Sequence, residues 1–411
     1  MEKISKQKAI IGLTVLVDVI GLGVVIPVLP YYVSSFGVSP FIVTLLFATF
    51  SFFAFFSAPL LGSLSDKIGR RPVLILSILS TAIGWIVFAG THSVIGLFIG
   101  RIIDGAAAGN FPIAQSYLLD ISKTDKERSA NLGMIGAVFG IGFIIGPMLG
   151  GFLSSISHTT PFWFVGFLAM ANAILAYFIL PETNPHMDRA KKIRLNPFTP
   201  LIRSLGNKTL ILPFLAWFAF GFGAVNTQSI FSLYIADVFN FDSFVAGLFM
   251  TCTGVIFAFN QGVLLKRFWL KYFKEKTLEL FGLLVFGVGF LLMSGKNLPV
   301  FIIGLMLMSF AQSIVRVVMT SQITAKADQK TKGETLGVLS SIMSLAMILG
   351  PIVSGFMFGI REDIPFLTST AVLIVAFMIV AGDKRLGARA LGAKKKEEEL
   401  ITESLEERML G

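Results

Sequence analysis

Charge is scarce in this sequence: 14% of its 411 residues are Asp, Glu, Lys or Arg, while 55% are hydrophobic. A water-soluble chain of that balance would hold more apolar surface than it could hide, which excludes the ordinary globular classes and makes lipid the natural solvent. Cys252 is the single cysteine, so no intrachain disulfide exists. The three histidines, His92, His158 and His186, stand far apart at loop-like positions, and neither a metal site nor a redox cofactor is expected. No GxxxxGK[ST] segment is present to hold nucleotide phosphates. The net charge of +10 has no soluble domain to carry it as a nucleic-acid surface.

What the chain has instead is long apolar runs. Twelve recur, at about 9–30, 41–63, 72–90, 94–118, 131–154, 161–181, 210–235, 243–265, 277–295, 299–322, 334–358 and 365–382, each long enough to cross a hydrocarbon core of roughly 30 Å as a helix. The first follows MEKISKQK like a secretory leader, but no small-residue cleavage site follows it, so it is expected to remain as a span. With the N-terminus inside, 30 of the 34 Lys and Arg residues fall in inner segments. Only Lys296 and Arg361 lie in outer loops, and Arg101 and Arg316 lie within spans. Cations flanking a span resist translocation, so both termini are expected on the cytoplasmic side of the cell membrane.

The fold class is therefore an all-α membrane protein of twelve transmembrane helices. The longest interruption, 182–209, carries Arg189, Lys191, Lys192 and Arg194 among three prolines and reads as a linker. It separates two six-helix bundles, 1–181 and 210–382, followed by a charged tail at 383–411 that reads as a solvated helix. A repeat relates the halves: the fifth span holds GFIIGPMLGG from Gly142, and the eleventh holds AMILGPIVSG from Ala346. Parallel repeats of this kind are a standard transporter construction. The segment KRFWLKYFKEK, 266–276, mixes aromatics with cations and is expected to lie along the inner interface, with lipid recognition as the lesser alternative.

Between the second and third spans stands GSLSDKIGRR, Gly62 to Arg71. Gly62 would permit close helix approach, Asp66 would accept at the start of the third span, and Arg70 and Arg71 would be its partners. Such a cluster serves topology in any case; the embedded Asp66 and the glycines Gly62 and Gly69 favour a conformational latch. This GxLxDxxGRR pattern resembles the signature loop of the major facilitator superfamily. Arg101 with Gly105 and Gly109 resembles that family's RxxxG motif, and Gly146, Pro147, Gly150 and Gly151 resemble the GPxxGG motif of its drug/proton antiporters. DVIGLGVVIPVLP, from Asp18, looks like the first helix of the tetracycline-resistance exporters. The second half departs from the pattern: Gly262 stands in place, but Lys266 occupies the position of the acidic residue. The resemblance implies the major facilitator fold, a latch in which Asp120 pairs with Arg70, and a glycine-rich fifth span, Gly142 to Gly151, that limits leak.

Ionised groups near a bilayer centre cost several kcal/mol unless they face partners or water. Asp18 lies about nine residues into the first span, roughly 14 Å deep, where a carboxyl is suited to bind and release a proton; a hydrogen-bonded helix contact is the plainer alternative. Arg101 and Asp104, three residues apart, can partly neutralise each other, and their face continues through Gly105, Ala108, Pro112 and Gln115. That stripe fits a cavity wall or a packing seam, and by resemblance Arg101 supports the proton site. The second half offers no acidic residue deep in a span, leaving Asn226, Gln228, Gln312 and Arg316 as candidate cavity residues. The expectation is a monomeric, proton-coupled secondary transporter exporting hydrophobic drug-like compounds, with substrate, protons and lipid as its only partners. A sugar, organic anion or lipid-like metabolite as cargo, or a receptor without transport, are the alternatives.

Overall fold

The computed structural model describes residues 2–184, 187, 198, 202, 209–327 and 332–382. Most of the expected linker and the whole charged tail lie outside the described residues. Twelve helices among the described residues are long and apolar enough to cross a membrane, in the places the hydropathy predicts. They are α1 (Glu2–Ser34), α2 (Pro40–Ile68), α3 (Arg70–Gly90), the pair α4 (Val94–Ala106) and α5 (Asn110–Asp120) making one span, α6 (Asp125–Ser154) and α7 (Thr160–Ile179). Then come α8 (Ile211–Phe239), α9 (Ser243–Phe259), α10 (Glu275–Met293), α11 (Leu298–Lys326), α12 (Lys332–Ile360) and α13 (Ile364–Gly382).

Short polar loops start these helices cleanly. The side chains of Ser93, Thr124, Asp242 and Asn297 each accept from a backbone N–H three residues on, satisfying a donor the first turn would otherwise leave open. One expectation fails here. The basic segment after the eighth span is not a separate interfacial strip, because α9 continues as a π-helix over Asn260–Trp269 and a last turn to Tyr272. Trp269 Nε1 donates to Asn260 Oδ1 at 2.8 Å, and Asn260 Nδ2 donates to Ser313 Oγ on α11 at 2.6 Å, which ties the widened turns to a neighbour.

Within the first six spans α1 packs on α6 and α7, and α3 on α4 and α7; within the last six α8 packs on α12 and α13, and α10 on α11 and α13. The two sixes meet along α2 with α12 and α6 with α9. Glycines set these contacts symmetrically. A Cβ on Gly146 would stand 2.8 Å from the Cα of Gly23 in α1, and one on Gly350 would stand 3.0 Å from Val225 Cγ1 in α8. Five residues further on, Gly151 lies against Phe244 at the start of α9 and Gly355 against Phe41 at the start of α2. The repeat seen in sequence is thus a repeat of contacts. Ser154 and Ser243 hydroxyls, 2.7 Å apart, and Tyr31 donating to the Phe241 carbonyl at 2.8 Å, close the same end. Toward the other end a Cβ on Gly133, Gly136, Gly140, Gly262, Gly333 or Gly337 would meet nothing within 4 Å, so these glycines make no close contact there.

Candidate functional site

Asp18 stands on α1 with part of its surface accessible, surrounded by protein on most sides. Its Oδ1 accepts from Asn110 Nδ2 at 2.9 Å. Asn110 is in position because the fourth span is broken: residues 107–109 leave the helix, and α5 begins at Asn110 itself. The carbonyls loosened by the break are taken up by neighbouring hydroxyls, Ser57 Oγ donating to Gly105 O at 2.7 Å and Ser80 Oγ donating to Ile103 O. The stripe read from Gly105 to Gln115 is therefore not one continuous helix face, and Gln115 is separated from Arg101 and Asp104 by the break.

Arg101 and Asp104 are 3% and 5% exposed and joined by a 3.0 Å ion pair. Burying two charges is tolerable only with further partners, and the guanidinium has them: the Phe50 and Trp85 rings lie 4.4 and 4.5 Å from its carbon. Glycine makes the pocket. A Cβ on Gly105 would stand 2.8 Å from the Phe50 carbonyl, and one on Gly84 would stand 2.8 Å from Asp104 Cβ. Thr81 on α3 lies within reach of both Asp104 and, at 3.4 Å, Asn110 Nδ2. Asp18, Asn110, Thr81, Asp104 and Arg101 form one polar chain inside the first half.

The signature segment is more compact than its sequence suggests. Only Gly69, at φ +110°, interrupts the helices, so Asp66 closes α2 rather than opening α3. Arg70 gathers three partners: Asp66 Oδ1 at 2.6 Å, Ser65 Oγ at 2.7 Å and Asp120 Oδ2 at 3.1 Å. Arg71 does not pair with Asp66; its Nη2 donates to the Tyr177 carbonyl at 2.5 Å. A Cβ on Gly62 would meet nothing within 4 Å, so that glycine makes no close approach in this conformation. The start of α3 is capped by Glu182, which the sequence reading passed over: its two oxygens accept from the Arg70 and Arg71 backbone at 2.8 and 3.0 Å. Asn184 adds a bond to the Asp66 carbonyl at 3.0 Å. The first residues of the expected linker thus belong to the first bundle; an acidic side chain just after an apolar run was the available signal.

The glycines of the fifth span work on two sides. Gly142, Gly146 and Gly150, spaced by four, all face α1, at Val19, Gly23 and Val24, whereas Gly151 faces Phe244. Pro147 presents its carbonyl to Gly247 of α9. In the second half Asn226 is fully buried, donating to Pro365 O at 2.8 Å and Ser369 Oγ at 2.9 Å. It is a tie between α8 and α13, not a cavity residue. Gln228 and Arg316 are exposed and Gln312 is half-buried. Arg316 is accessible although protein surrounds it on most sides. The second half also buries Glu279, 3% exposed, in the second turn of α10, a carboxyl not singled out in sequence because it lies near a helix end.

Twelve membrane-length helices in two contacting sixes, with charge buried inside one of them, define a membrane transporter rather than an enzyme. The chain belongs to the Major Facilitator Superfamily, whose family model matches residues 11–278 and 268–407. It is 27% identical over 390 residues to the quinolone resistance protein NorA of Staphylococcus aureus, covering 94% of this chain and 98% of that one. It is 29% identical over 355 residues to the class E tetracycline resistance protein of Escherichia coli, covering 85% and 87%. Among solved structures, the human organic anion transporter MFSD10 matches with a TM-score of 0.68 at 25% identity over 92% of this chain and 99% of that one. The nucleoside transporter NupG matches with 0.77 at 15% identity, over 92% and 100%, a likeness of fold.

Proposed function

We propose that the chain is a proton-coupled exporter of hydrophobic, drug-like compounds in the cell membrane, working as a monomer by alternating access. The observation that carries this reading is the polar chain from Asp18 to Arg101: charge buried among spans is expensive and otherwise unexplained. The quinolone and tetracycline resistance relatives support the cargo class. With both termini cytoplasmic, as the cation distribution favours, the end where Gly133, Gly136, Gly262 and Gly337 lack close neighbours faces inward, and this is the end through which the exporter collects its substrate. The bundles 1–181 and 210–382 rock about the seam; Arg70, Asp66 and Asp120, capped by Glu182, latch α2 to α3 and to the end of α5 during that motion. Gln228, Gln312 and Arg316 contribute to the substrate path.

The test is uptake into proteoliposomes under an imposed pH gradient, using a fluorescent dye and a quinolone. Asp18→Asn is expected to abolish gradient-driven accumulation while the protein still binds the dye. Gradient-driven accumulation at the wild-type level in Asp18→Asn overturns the coupling. Arg316, an accessible cation within a span of the second half, favours a second reading with anionic cargo; competition of dye transport by organic anions, lost in Arg316→Gln, would favour it.

A further inference from the structure

Asn110 is not part of the RxxxG pattern, and it is the buried amide that meets Asp18. It is 8% exposed, its Nδ2 serves both Asp18 and Thr81, and its Oδ1 accepts nothing among the described residues. A buried amide oxygen without a donor costs on the order of 1–3 kcal/mol, and a second arrangement would give that oxygen a donor. The second arrangement is at hand. An ionised carboxylate only accepts, so it needs the Nδ2 donor; a protonated carboxyl carries a hydrogen and needs an acceptor. Asn110 carries one of each on the same planar group.

We propose that Asn110 reads the protonation of Asp18: Nδ2 holds the ionised carboxylate, and after a half-turn of the amide Oδ1 receives the hydrogen of the neutral acid. This rests on the reading of Asp18 as the proton site. The break at residues 107–109 supplies the freedom, because Asn110 stands at the first position of α5, where no preceding turn of helix confines its side chain. The free N–H groups of that first turn favour the ionised carboxylate over the neutral acid, and the amide compensates by serving both. Thr81 transmits the change. With Nδ2 turned toward Asp18, the Thr81 hydroxyl is free to donate to Asp104; with Oδ1 turned there, the same hydroxyl donates to Asn110 instead. The ion pair of Asp104 with Arg101 thereby feels the proton on Asp18 without receiving it. Other neighbours do not compete: α6 brings Gly142 against Val19 and α7 brings Val165 against Gly21, and Asp104 with its partner Arg101 are the charged groups facing Asp18 among the described residues.

The experiment is pH-difference infrared spectroscopy on the full chain in lipid nanodiscs, beside the pH profile of dye transport. Wild type is expected to show on acidification a protonated-carboxyl band that is missing in Asp18→Asn, together with a shifted side-chain amide carbonyl band that is missing in Asn110→Leu. In Asn110→Leu, and in Asn110→Ala should the larger side chain not fold, the carboxyl band is expected to titrate about one pH unit higher, because a hydrogen bond to a charged group is worth more than one to a neutral group. Asn110→Gln, which keeps the amide, is expected to return the midpoint toward the wild-type value. A carboxyl band belonging to Asp18 whose midpoint is unmoved in Asn110→Leu and Asn110→Ala, with no amide change, overturns the amide role and leaves the proton site standing. Spectra of wild type and Asp18→Asn that coincide overturn both.

Discussion

Asp18 has a hydrogen-bond donor beside it only because residues 107–109 give up their helix, and this is where the sequence was least informative. The depth of Asp18 and the three-residue spacing of Arg101 and Asp104 were legible, since both follow from counting along a helix. Asn110 was not, because GAAAG, residues 105–109, puts alanine, the best helix former, at the break itself, and the two flanking glycines alone do not announce where the helix stops. Packing decides how Arg101 is held. Its planar group lies between Phe50 and Trp85, an arrangement that lysine cannot reproduce with a compact ammonium. Arg101→Lys is therefore expected to behave as a loss of function, with gradient-driven transport reduced at least about tenfold in proteoliposomes, even though the charge is kept. Glu182 showed only as an acidic residue just after an apolar run; its importance lies in two backbone N–H groups more than a hundred residues away. Removing it in Glu182→Ala leaves those donors to water and is expected to cost about 1 kcal/mol, seen as a lowered melting temperature in detergent.

For the elements, hydropathy located every span but misjudged several ends. The segment from Lys266 to Lys276 reads as polar, yet helix persists to Tyr272 because Asn260 anchors the π-turns to Ser313; a hydrogen bond across helices is not written in a window of hydropathy. The glycine motif fared better, since a four-residue spacing of small side chains implies a close-packed face whatever lies opposite. What the sequence withheld was the partner of each glycine. Gly146 and Gly150 press on the backbone of α1, whereas Gly136, on the same helix, faces open space. Gly146→Val is accordingly expected to overpack the contact and cost about 1–3 kcal/mol. Gly136→Val is expected to leave the melting temperature nearly unchanged, a contrast that thermal unfolding of the two variants reads directly.

Across the whole molecule, the two GP steps correctly announced a duplicated construction, while the conformation could not be read from one chain of letters. It rests on which ends of α2, α6, α9 and α12 meet. Ser154 and Ser243, at that end, have hydroxyls 2.7 Å apart, close enough for a disulfide after substitution. In a background with Cys252→Ser, the pair Ser154→Cys and Ser243→Cys is expected to cross-link on oxidation and halt transport, which returns on reduction. A transport rate unaffected by complete cross-linking would mean that the seam does not open.

The seam that closes this end is poor in strong bonds, joined by glycine against backbone and by a few hydroxyl contacts such as those of Tyr31 and Ser154. Thermodynamically, that poverty is what lets a small driving force do the turning. One charge moved through 100 mV releases about 2.3 kcal/mol, whereas carrying a population from 1:99 to 99:1 takes about 5.5 kcal/mol. The two orientations must therefore be nearly isoenergetic before any proton arrives, and each added interaction at the seam would be subtracted from the work available for pumping. A mutation that strengthened this interface would make a more stable protein and a worse machine.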